Sequence, residues 1–140
     1  MKRKAEWAAS SRKIIADIEL EVRCRASIEG ARPRSFSLGS RFAETLLVLP
    51  DRQRRKAIRA IADLVVGSPA SLCARRDHPH RAGAASTAPP IIRAADGAIA
   101  RRCSIERNIP AALRLLYWVL PGGALELAAV KNHDEMDVST

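Results

Sequence analysis

The stretch from Leu113 to Leu120 (Leu-Arg-Leu-Leu-Tyr-Trp-Val-Leu) constrains this chain more than any other. It is nearly all apolar and rich in large β-prone side chains, the composition of a central strand buried on both faces. Pro121, Gly122 and Gly123 then supply a tight turn, and Ala124 to Val130 read as the returning strand. The chain must therefore contain a sheet in which this hairpin is central. Ala98 to Ile105 is a further candidate strand, separated from the hairpin by a turn around Asn108 and Pro110.

The first half follows a different period. Trp7, Ile14, Ile15, Ile18, Val22 and Ile28 recur at spacings of three, four and seven, which predicts an amphipathic helix over residues 4 to 28, ended by Gly30 and Pro33. Residues 34 to 38 alternate polar and apolar, as a short strand does. Ser40 is a suitable N-cap for a helix carrying Phe42, Leu46, Leu47 and Leu49. Pro50 and Asp51 open another helix with Ile58, Ile61, Leu64 and Val65 on one side, stopped by Gly67 and Pro69. These two helices read as a hairpin. Residues 68 to 100 hold no period for long and read as loops with one short strand near Ile91 to Arg93. Helices followed by consecutive strands predict an α+β fold, with helices packed on a small antiparallel sheet.

Charge narrows the partners. Twenty-four Lys and Arg against fifteen Asp and Glu give a net charge of +9, which favours a polyanion or an acidic protein. Five aromatic residues are too few for a base-stacking platform to dominate. Arg52, Arg54, Arg55, Lys56 and Arg59 crowd one helix, though a solvated helix face carries such a run as well. The longest apolar runs fall far short of the roughly 18 residues a membrane span needs. Lys2, Arg3 and Lys4 lead into Glu6 and Ser10 rather than into an apolar stretch, so no signal peptide and a cytoplasmic location are expected. Cys24, Cys73 and Cys103 stand far apart without a C-x-x-C pair, and the His78-Pro-His80 pair lacks a third ligand at useful spacing; neither a metal nor a cofactor is expected.

Leu113 to Asp137, with its Arg-Leu-Leu-Tyr strand, its turn, its hydrophobic return strand and the polar segment Lys131-Asn-His133-Asp-Glu135, resembles the C-terminal half of the RelE/ParE superfamily of bacterial toxin-antitoxin toxins. Phe42 to Pro50 followed by the basic helix, and Cys103-Ser-Ile-Glu106, resemble its paired helices and preceding strand. The likeness covers residues 34 to 138, and residues 1 to 33 read as an N-terminal helical extension outside it.

The resemblance implies a toxin that binds a cognate antitoxin and acts as a ribosome-dependent mRNA endonuclease. In the ParE branch it implies a non-catalytic inhibitor of DNA gyrase, and a degenerate member would only bind a partner. For the nuclease it implies Arg114 as the cation that stabilises the phosphorane and His133 as general acid or base, a role suited to a side chain titrating near about 6.5. Arg101, Arg102 and Arg107, with Lys131, would hold the RNA backbone, and His78 and His80 lie where some members carry a second catalytic histidine. A structural alternative pairs Arg114 with Glu126 across the hairpin. Ser104 and Asn108 stand where the histidine-rich nucleases carry His and Asp, and neither is a base near neutral pH unaided.

Overall fold

A computed structural model describes residues 2 to 29, 32 to 81 and 89 to 132, with side chains in the first helix from 10 to 27. The elements in chain order are α1 (Lys2–Glu29), β1 (Phe36–Leu38), α2 (Phe42–Leu47), α3 (Asp51–Val66), α4 (Pro69–Ala74), β2 (His78–Pro79), β3 (Ile99–Ser104), β4 (Leu113–Val119) and β5 (Leu125–Asn132). They form an α+β fold around one five-stranded sheet of order β1-β5-β4-β3-β2.

The hairpin sits at the centre, as its apolar composition requires. β4 pairs with β3 on one side and with β5 on the other. Leu120 and Ala124 close the turn, where Gly122 and Gly123 take φ of 102° and 95°, a region that costs L-residues dearly. The sheet is mixed rather than wholly antiparallel, because β1 pairs with β5 in parallel. Gly39, directly after β1, has no room for a side chain: a Cβ there would lie 2.9 Å from the Leu127 carbonyl oxygen, to which the Gly39 N–H donates.

The helices cover one face of the sheet. Ile14, Ile18 and Val22, spaced four apart on α1, are buried in one cluster with Leu46, Ile61, Leu64, Leu115, Tyr117 and Leu127. Helix α3 packs chiefly against α1, while α2, which precedes it across Pro50, lies over β5 and makes a smaller contact with α3. Thr45 Oγ1 of α2 accepts the Val130 N–H at 2.9 Å. Helix α2 begins later than Ser40 suggests, with Arg41 at its N-cap position and no side-chain cap. Helix α4 was not expected; Ser68 caps it by accepting the Ser71 N–H at 3.2 Å, and Pro69 follows at the start.

The opposite sheet face carries a smaller cluster of Ala98, Ala100, Leu116, Trp118 and Ala128, with Ile91 and Leu120 against it. The strand expected at Ile91 to Arg93 reduces to isolated bridges, Ile92 with Ile99 and Arg81 with Pro90. Arg93 lies 4.8 Å over the Trp118 ring and holds Glu126 at 2.7 Å and Asp96 at 2.8 Å. Among the described residues no helix is long and apolar enough to cross a membrane.

Candidate nucleic-acid interface

Strand periodicity decides which arginines meet. The β3–β4 register sets Ser104 opposite Arg114, Arg102 opposite Leu116 and Cys103 opposite Leu115. Since Cys103 and Leu115 are buried under the helices, Arg102, Ser104 and Arg114 stand on the other face. Strand β2 adds His78 opposite Arg102.

The segment before β2 alternates in the same way. Arg75 and Asp77 point into the protein. The Arg75 guanidinium holds the buried Asp63 carboxylate at 2.8 Å, and Asp77 accepts the Tyr117 hydroxyl and two Arg101 N–H groups at 2.9 and 3.2 Å. Between them Arg76, in a left-handed conformation with φ of 53°, and His78 face a cleft. That cleft encloses about 160 Å³ and is lined by Arg76, His78, Arg102, Cys103, Ser104 and Arg114.

Three guanidinium groups and no carboxylate line this space. Arg114 Nη1 donates to Ser104 Oγ. Arg102 Nε donates to His78 Nε2 at 3.1 Å, while His78 Nδ1 lies 2.9 Å from the Pro79 carbonyl oxygen. Those partners select one tautomer: Nδ1 carries the proton and Nε2 presents its lone pair toward the cleft. Burial, and then the charge of Arg114, press the pKa of Arg102 below its usual value. An anion bound between Arg102 and Arg114 relieves that repulsion, and the planar forks of two arginines suit phosphate oxygens.

The residues singled out from the sequence fall into separate places. Arg102 and Arg114 come together, and Lys131 is the cross-strand partner of Arg114 on β5. Arg101 lies on the helix-facing side, engaged with Asp77, and Arg107 reaches the Ala74 carbonyl at the end of α4 at 2.9 Å. His133 lies outside the described residues. His80 is 5% exposed and is not among the residues lining the cleft. The pairing of Arg114 with Glu126 does not occur: Glu126 sits opposite Trp118 and is held by Arg93. The sequence reading does not reach Arg76, and it gives Ser104 only as a residue that is no base near neutral pH. The period-two pattern of Arg75-Arg76-Asp77-His78 was the available signal for the first.

The basic helix is a poorer anion site. Arg54 and Arg55 of α3 reach Asp51 at 3.7 and 3.1 Å, and Lys56 is bound to the buried Glu106 at 3.0 Å. Among the described residues no group of three or more His, Cys, Asp or Glu could hold a metal ion.

No family profile and no curated protein sequence matches this chain. Among solved structures it is similar to a chain in the crystal structure of the archaeal RelE-RelB complex from Pyrococcus horikoshii OT3, with 11% sequence identity and a TM-score of 0.49, over 74% of this chain and 99% of that one.

Proposed function

We propose that the chain is a toxin of the toxin-antitoxin kind that binds and cleaves mRNA on the ribosome, with the Arg102–Arg114 cleft as its phosphate site. The observation that carries this reading is the convergence of Arg76, Arg102 and Arg114 beside His78 and Ser104 in one cleft without an acid. Cleavage of RNA without a metal needs a base for the 2′-hydroxyl, cations for the phosphorane and an acid for the departing 5′-oxygen. Arg114 and Arg102 supply the cations. His78 Nε2 has the free lone pair of a base once Arg102 turns to the phosphate. His133, next along the chain after Asn132, is the proposed acid, and Lys131 extends the basic track on the same face as Arg114. Arg101 and Arg107 serve the fold around the cleft in this reading. The resemblance of residues 34 to 138 to RelE/ParE toxins supports the same assignment and supplies its antitoxin partner.

The test is induced expression with two separate readouts. Rapid translation arrest with cut message is the expected result. DNA damage with intact message would replace this reading with gyrase inhibition, and harmlessness in both readouts would leave only partner binding.

A further inference from the structure

Helix α1 has no place in the chemistry set out above, yet it is connected to the cleft by a chain of partly buried contacts. Arg25 of α1 donates through Nη1 to Asp63 Oδ1 of α3. The other oxygen of Asp63, a residue only 8% exposed, takes Arg75 Nε at 2.9 Å and Nη2 at 2.8 Å. Arg75 then grips the end of β3 twice. Its carbonyl accepts the Ser104 N–H at 2.7 Å, and its Nη1 lies 3.4 and 3.5 Å from the Ser104 and Ile105 carbonyl oxygens. Ser104 Oγ in turn holds Arg114.

We infer that α1 is part of the machinery that positions the phosphate site, with Arg25, Asp63 and Arg75 as positioning residues that set Ser104, and through it Arg114 and the neighbouring Arg76. Two features separate this from ordinary helix packing. The apolar contacts of Ile14, Ile18 and Val22 already dock α1 onto α3, so attachment does not need an ionic link. The link also does not stop at α3, because Arg75 spends its remaining donors on the one strand end that carries Ser104. A carboxylate shared by two arginines fixes both geometrically, since each guanidinium fork admits few orientations. Loss of Arg25 leaves Asp63 free to swing toward Arg75 alone, and the grip on Ser104 shifts with it.

The inference rests on the reading of the cleft as a phosphate site, but its test does not depend on cleavage. In the full chain, Arg25→Ala is compared with Val22→Ala, which weakens the same helix contact without touching the ionic chain. Two readouts are taken: the Nε–Hε resonance of Arg114 with hydrogen exchange at the Ser104 amide, and binding of tetrauridylate. Arg25→Ala is expected to move the Arg114 resonance, speed Ser104 exchange and weaken tetrauridylate binding roughly tenfold, as loss of an outer support does for a preorganised site. Val22→Ala should lower the melting temperature and leave these signals in place, and Arg25→Lys should restore most of them. If Arg25→Ala does not fold, Asp63→Asn, which keeps the shape of the side chain, is expected to act in the same direction. Identical behaviour of the Arg25 and Val22 variants, or an unmoved Arg114 resonance, overturns the inference. Failure of the wild-type chain to bind tetrauridylate sinks the functional reading instead, and the resonance and exchange data still decide the positioning role.

Discussion

Replacing Asp77 by Ala removes the anchor between Arg76 and His78, which line the cleft from the segment before β2 and from β2 itself. The Asp77 side chain is 7% exposed and serves Arg101 and the Tyr117 hydroxyl together. Tyr117 is 1% exposed, so its hydroxyl loses a buried acceptor when the carboxylate goes, and a buried orphan donor costs about 1–3 kcal/mol. The Arg101 side chain is 29% exposed and can turn toward solvent, which limits its own loss to about 1 kcal/mol. The sum is about 2–4 kcal/mol, or a fall in melting temperature of roughly 6–12 °C for a chain of this size. Tyr117→Phe removes the donor rather than orphaning it, so the double variant should recover about 1–2 kcal/mol relative to additivity. Thermal and denaturant melts of the four proteins measure this cycle. Because Asp77 lies between Arg76 and His78, RNA binding should weaken in the single variant even at temperatures where it is fully folded. A melting temperature within about 2 °C of wild type, or strictly additive single changes, would refute the account of a shared buried carboxylate.

Three further outcomes are expected. Arg114→Ala should lower cleavage on programmed ribosomes about a hundredfold, near 3 kcal/mol of transition-state stabilisation, with little change in melting; Leu116→Ala, buried in the second cluster, should instead lose about 2–5 kcal/mol of stability. Burial pushes the Cys103 thiol up to about 12, whereas Cys24 and Cys73 are exposed. At pH 8 only about one Cys103 in ten thousand is thiolate, so mass spectrometry after iodoacetamide should find two labels on the folded chain and a third only in denaturant. Burial raises the Tyr117 phenol in the same direction. For both groups the folded value lies above the unfolded one, so their contribution is intact below about pH 9 and drains away as pH climbs toward the folded values. Melting temperatures should therefore fall between about pH 9 and 11, less steeply in Tyr117→Phe, and a flat profile there would count against both burial assignments.

What the sequence disclosed follows the range over which each signal acts. The β4–β5 hairpin was legible because its strands and its Pro-Gly-Gly turn are adjacent in the chain, and α1 and α3 because apolar stripes at helical spacing are local patterns. The parallel pairing of Phe36 with Leu125 joins segments nearly ninety residues apart, and no local pattern encodes it. Helix α4 has six residues, too few for a periodic stripe, although Ser68 and Pro69 marked its start.

The site shows the same division more sharply. Arg101 and Arg102 are chemically identical neighbours, and only strand parity sends one to Asp77 and the other to the cleft. That parity was hidden because Leu113 to Val119 is apolar on both faces except at Arg114, and one strand-end cation does not say which face the helices cover. The register that brings Ser104 to Arg114 depends on the loop from Ile105 to Ala112, where Asn108 and Ala111 adopt positive φ of 62° and 54° without being glycine. A sequence gives little warning of such residues, since the surrounding structure and not their own preference holds them there. The alternation of Arg75, Arg76, Asp77 and His78 is different in kind. Its two anchors find Asp63 and Tyr117 and its other two side chains, Arg76 and His78, find the cleft, so the wall of the site carries a local period of two, but over four residues in a stretch otherwise without a period it is too short to stand out.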